Sequence, residues 1–98
     1  MDPIGTIEFD VDVDTVRITM TGDIDARLRE ELEEAIRVVR SGRLPVTLDA
    51  TGVTFMDSHG ARFIGRCYTH GPLTVSASEP VRFLLQILAM DEVLEGRQ

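Results

Sequence analysis

Asp57, Ser58 and His59 stand side by side in VTFMDSHGARF, residues 53–63, directly ahead of Gly60. A hydroxyl between a carboxylate and an imidazole offers the groups of a hydrolytic triad or of a phosphate acceptor. Triad members come from separate elements, whereas consecutive residues at a helix start point in different directions, so no catalytic triad and no enzymatic activity are expected. On side-chain chemistry alone Ser58 reads first as a helix cap. A serine at an exposed helix N-terminus is also a suitable phosphate acceptor, because unpaired backbone N–H groups there can hold phosphate oxygens. His59, Cys67 and His70 do not have the paired spacing of a zinc site, so no metal is expected. The absence of a glycine-rich loop ending in Lys-Ser/Thr leaves nucleotide binding without support, and no cofactor is expected.

The elements that carry these residues follow from hydrophobic periodicity. Strands are predicted at 4–9, at 15–21 with Val16, Ile18 and Met20 on one face, at 45–50 with Val46, Leu48 and Ala50 alternating, and at 73–77. A helix over residues 26–40 follows from Leu28, Leu32, Ala35, Ile36 and Val39, with Asp25 capping its start and Glu33–Arg37 as an i,i+4 pair. Ser41-Gly42 ends it. TGDID is expected as a turn, and TGVTFMD as a loop returning Val53, Phe55 and Met56 to the core. A second helix is predicted from Ser58 to about Thr69, with Ala61, Ile64, Gly65 and Tyr68 along one side. A third runs from Ser78-Glu79-Pro80 to about Ala89. The order β-β-α-β-α-β-α implies an α/β fold with a small mixed sheet of about four strands and helices packed over it. The third helix is apolar on nearly every side. It reads as core, with the alternative of a patch for a partner or for a second copy in a homodimer.

Composition restricts function further. The 98 residues are 43% hydrophobic and 28% charged, which suits one soluble domain over 1–98. A net charge of −7, with arginine supplying every basic residue, disfavours nucleic-acid binding. The longest apolar run, VRFLLQILAM, is too short to span a membrane. MDPIGTIEF has neither the basic start nor the apolar stretch of a secretory signal, and the single Cys67 suits a reducing compartment, so a cytoplasmic location is expected.

The segment VTLDATGVTFMDSHGARFIGRCY resembles the centre of STAS domains, in which a strand ending in Asp leads through a short loop to Asp-Ser-x-Gly at a helix start. TMTGDID is similar to the turn after the family's second strand, and SEPVRFLLQILAMDEVL to its last helix and tail. The resemblance covers almost the whole chain and is greatest to the anti-sigma factor antagonists, or anti-anti-sigma factors, of bacteria. It implies that Ser58 is phosphorylated by an anti-sigma factor that is itself a serine kinase. Unphosphorylated antagonist binds that kinase and frees the sigma factor for transcription. Phosphorylation ends the binding, and a PP2C-type phosphatase restores it. The partner-binding residues so implied are Asp23, Asp25, Asp57, Ser58, His59 and Arg62.

The resemblance has departures. Where members often carry Ser-Gly-Leu-Gly, this chain has His59-Gly60-Ala61-Arg62, and the loop between Gly22 and the first helix is short. The smaller Ala61 implies a reduced core volume. Arg62, one turn beyond Ser58 on the same face, can pair with a phosphate there or protrude into a surface that partners expect to be small. Two other readings stay open: a STAS module that binds partners without phosphorylation inside a larger signalling assembly, and a histidine phosphocarrier. The segment SHGAR is similar to the latter, but there the active histidine follows the first strand, and here it follows the third.

Overall fold

A computed structural model of the chain describes residues 3–96; positions 1, 2, 97 and 98 of the expected domain lie outside the described residues. Four strands form one mixed sheet in the order β1 (Thr6–Val11), β2 (Val16–Ile24), β3 (Val46–Met56) and β4 (Leu73–Ala77). β1 pairs antiparallel with β2, while β2–β3 and β3–β4 are parallel. Helices α1 (Arg29–Arg40), α2 (Ser58–His70) and α3 (Glu79–Ile87) occupy the intervening and final connections. The predicted element order and mixed sheet are therefore what the chain forms.

The sheet has one buried and one polar face because its central strands alternate. Val16, Ile18 and Met20 of β2 and Val46, Leu48 and Ala50 of β3 are buried, and Arg17, Thr19, Thr47 and Asp49 between them are exposed. The helices cover the apolar face with Leu32, Ala35, Ile36 and Val39 of α1, Phe63, Ile64 and Cys67 of α2, and Val81 and Leu85 of α3. The result is a two-layer body about 18 Å along its shortest axis.

Two stretches expected as turn and loop are strand. β2 runs on through TGDI to Ile24, and β3 runs through TGVTFM to Met56, paired in parallel as Thr21 with Gly52, Gly22 with Val53 and Ile24 with Met56. Register shifts between Thr19 and Thr21, and again between Gly22 and Asp23, break the two-residue alternation. Gly22 takes φ +74 at this irregularity, with Gly5 so close that a Cβ on Gly22 would lie 3.0 Å from the Gly5 Cα. Val53 and Met56 are buried as expected, but Phe55 faces outward and is 51% exposed.

Helix details also differ from the sequence reading. Asp25 caps a single 3-10 turn, Ala26–Leu28, which then leads into α1. Glu33 pairs with Arg66 of α2 at 2.7 Å and so joins two helices, although Arg37 lies close enough to pull on its charge. On α2, Gly60, Phe63, Ile64 and Cys67 form the buried stripe; Ala61 is only half-buried, outside the core, and Tyr68 is exposed. α3 stops at Ile87, and Ala89 turns the chain with φ 58. Its apolar residues divide between the two sides: Val81 and Leu85 are buried, whereas Phe83, Ile87 and Leu88 face out. No helix among the described residues is long and apolar enough to cross a membrane.

Candidate functional site

The carboxyl ends of β2 and β3 lie side by side, and their continuations bring Asp23, Asp25, Asp57, Ser58 and His59 to one edge of the molecule. The Asp57 N–H is still held by β2, donating to the Ile24 carbonyl at 3.1 Å. That bond keeps Asp57 extended, with φ −99 and ψ −167, and makes it the residue before the first turn of α2. Its Oδ1 accepts the His59 backbone N–H at 2.8 Å, and its Oδ2 lies 3.4 Å from His59 Nδ1. Asp57, rather than Ser58, is therefore the helix cap. Ser58 is the first helical residue, exposed, and its hydroxyl has no protein partner among the described residues.

The neighbouring acids are individually occupied. Asp25 receives the Arg27 guanidinium on both oxygens, from Nε at 3.0 Å and from Nη2 at 2.8 Å, as well as the Arg27 backbone N–H at 3.0 Å. The Arg27 side-chain bonds, helped by that backbone bond and by smaller electrostatic pulls from Arg27 and His59, hold the Asp25 carboxyl below its ordinary range. Asp23 accepts from Thr54 Oγ1 at 2.8 Å, which ties the end of β2 to β3. Arg27, Thr54 and the exposed Phe55 thus belong to this edge, where they line a depression of about 460 Å³ together with Asp23 and Asp25. Only the alternation of β3 could have revealed Phe55 and Thr54 beforehand, and the register shift obscures it.

Arg62 lies one turn along α2 from Ser58, exposed and without an ion pair among the described residues. It lines a groove of about 260 Å³ between α1 and α2, together with Arg29, His59, Arg66 and one carboxylate, Glu33, over Leu32 and Phe63. Arg29 likewise has no ion pair, whereas Arg66 is engaged by Glu33. The Arg66 hydrogen bond, with further attraction from the nearby arginines, lowers the Glu33 pKa. A cationic groove in a chain of net charge −7 is a local inversion of sign. Arg29 and Arg66 escaped the sequence reading because they become neighbours only when α1 packs on α2.

The Asp57 carboxylate contacts the His59 N–H and ring, and no base among the described residues is hydrogen-bonded to the Ser58 hydroxyl. Cys67 is buried and its thiol is pushed up to about 12 by desolvation, which keeps it protonated and inert. Ser58 presents an exposed hydroxyl at the first helical position of α2.

Residues 7–95 match the family described as "Mlab, STAS domain". The chain belongs to the STAS-domain family. A comparison with curated protein sequences finds no match. Among solved structures, this STAS domain is similar to an anti-sigma factor antagonist from Mycobacterium paratuberculosis, with TM-score 0.78 at 20% identity over 94% of this chain and 84% of that one. The anti-sigma factor antagonist SpoIIAA in its unphosphorylated form gives TM-score 0.77 at 19% identity, covering 95% of this chain and 89% of its own. The Bacillus cell fate determinant SpoIIAA in its phosphorylated form gives 0.77 at 18%, covering 95% and 92%. The STAS domain and these antagonists share the same fold.

Proposed function

We propose that this STAS domain is an anti-sigma factor antagonist, a protein-binding switch set by phosphorylation of Ser58. With Ser58 unmodified, the edge formed by Asp23, Asp25, Asp57, Ser58, His59 and Arg62 binds an anti-sigma factor with serine-kinase activity, and so frees the sigma factor. In the kinase reaction Ser58 Oγ bonds to the γ-phosphorus of a nucleoside triphosphate, the bond to the leaving diphosphate breaks, and the hydroxyl proton passes to a base of the kinase. A PP2C-type phosphatase reverses the modification. The domain itself contributes a substrate hydroxyl and a docking surface in the cytoplasm.

The observation that carries this reading is the division of roles at the start of α2: Asp57 caps, which leaves the exposed Ser58 hydroxyl unpaired. Fold similarity to SpoIIAA, a protein with phosphorylated and unphosphorylated forms, supports it. Energetically the switch is reasonable. A thousandfold loss of partner binding is about 4 kcal/mol, and one unit-charge repulsion at about 4 Å with an effective dielectric near 20 is of that order. A phosphate brings about −1.5 to −2 charges to an edge already occupied by Asp57, Asp23 and Asp25.

Incubating the protein with native lysate and ATP, then mapping phosphate by mass spectrometry with and without acid treatment, tests the assignment. An acid-stable phosphate on Ser58, lost in Ser58→Ala, is expected. An acid-labile phosphate on His59 would instead establish the phosphocarrier reading.

A further inference from the structure

The α1–α2 groove is lined by His59, next to Ser58, and by Arg62, one helical turn further along α2. Residues four apart on a helix lie on one face with about 5–6 Å between their Cβ atoms, within reach of a long side chain. The order here, an anionic group at position 58 and a cation at 62, is the favourable orientation for such a pair. Arg62 makes no ion pair among the described residues, in contrast to Arg27 on Asp25 and Arg66 on Glu33, and the Glu33 carboxylate that feels its charge is already held by Arg66. Asp57 accepts the His59 backbone N–H on one oxygen and lies against the His59 ring with the other, and makes no ion pair with Arg62.

We infer that Arg62 is an internal receptor for the phosphate of phosphoserine 58, so that phosphorylation adds an anion to the edge and withdraws a cation from the α1–α2 groove in one step. This rests on the reading of Ser58 as the phosphate acceptor and states how the modified form is built. The guanidinium of Arg62 forms a charge-assisted bond to phosphate oxygens, leaning toward the helix start. Among the described residues lining the groove, Arg29 is then the one basic group without an ion pair, since Arg66 is held by Glu33 and His59 lies against Asp57. A partner whose acidic side chains seat in the groove then loses a counter-charge at the same moment that it meets the phosphate. The other charged groups that face this end of α2 are Asp57 and His59 on the helix, Asp25 and Arg27 from the turn after β2, and Arg29 and Glu33 from α1.

The test uses the full chain with phosphoserine incorporated at position 58 during translation, so that no kinase is required. Phosphorus NMR gives the midpoint of the second phosphate ionisation, which lies near 6 for a free phosphoserine. Arg62→Ala is expected to raise that midpoint by about 0.3–0.7 relative to the otherwise native phosphoprotein, and Arg62→Lys by less. Arg43→Ala, at the opposite end of the sheet, removes the same charge and is expected to leave the midpoint within about 0.1, as for screened distant charges. The Arg62 Nε–H resonance is expected to shift, and to slow its exchange with water, in the phosphoprotein only. Equal midpoints for Arg62→Ala and Arg43→Ala, with an unaltered Arg62 Nε–H signal, would overturn the inference. Because the phosphate is installed by translation, a cellular kinase that ignores Ser58 would refute the switch without changing either readout.

Discussion

Asp57 and His59 are joined across the start of α2, where the Asp57 Oδ1 accepts the His59 backbone N–H at 2.8 Å. The bond fixes the first turn and relieves Ser58 of a structural duty. Asp57→Ala is expected to lower stability by about 1 kcal/mol, the usual cost of losing a side-chain cap, and Asp57→Asn by much less. Urea unfolding of the two variants at neutral pH measures the difference. Equal stability of Asp57→Ala and the native sequence would return the capping role to Ser58.

Gly60 lets α2 sit directly on the end of the sheet. A Cβ there would lie 2.5 Å from Met56 Cγ and 3.1 Å from Ile24 Cγ2, both in the core. Gly60→Ala is therefore expected to cost about 1–3 kcal/mol despite the better helix propensity of alanine. Shortening Met56 to alanine creates a cavity of its own, but the double variant should be at least about 0.5 kcal/mol more stable than the sum of the two changes. Denaturant midpoints for the four proteins complete the cycle.

The Asp25–Arg27 pair ties part of the stability to pH. The Arg27 bonds lower the Asp25 pKa from an ordinary value of 3.8, so the folded state holds its proton less tightly than the unfolded chain. The corresponding stabilisation is full above 3.8 and is lost as the pH falls through the lower folded value. Glu33 with Arg66, and Asp49 held chiefly by the Thr51 hydroxyl, act in the same direction. Asp25→Asn is expected to flatten the acid limb of a plot of unfolding midpoint against pH, with little change in its slope above pH 6. An unchanged acid limb would remove this pair from the acid response.

Ala89 closes α3 in the left-handed region, φ 58, while the Met90 N–H reaches back to the Leu85 carbonyl at 2.8 Å. A side chain in that conformation costs roughly 1–2 kcal/mol, which glycine avoids. Ala89→Gly is expected to raise stability by up to about 1 kcal/mol once the extra freedom of the unfolded glycine is subtracted. Thermal and urea unfolding of this variant should both move upward.

The sequence made the order of elements legible because each helix shows its apolar stripe and the first halves of β2 and β3 alternate cleanly. Residues 51–56 did not read as strand, since the register shifts put Val53 and Met56 three apart and left Phe55 facing out. No local signal distinguishes that pattern from a loop. Asp57 and Ser58 are both good caps by type. The choice falls to Asp57 because β2 holds its N–H, a contact between residues 33 positions apart. The bond between Glu33 and Arg66 is likewise a product of helix packing, invisible while Arg37 offers a partner on the same helix. The placement of Ser58 and Arg62 one helical turn apart, in contrast, was legible from spacing, because that relation is internal to one helix.

Whether Ser58 sets partner binding is tested most directly by comparing capture from native lysate by the unmodified protein, Ser58→Ala and Ser58→Asp. Ser58 is exposed at the first helical position, so none of these changes is expected to disturb folding. The unmodified protein and Ser58→Ala are predicted to recover the same anti-sigma factor kinase, identified by mass spectrometry. Ser58→Asp is predicted to recover at least about tenfold less, a loss of roughly 1.4 kcal/mol or more. Equal capture of that kinase by all three proteins would show that Ser58 does not set partner binding.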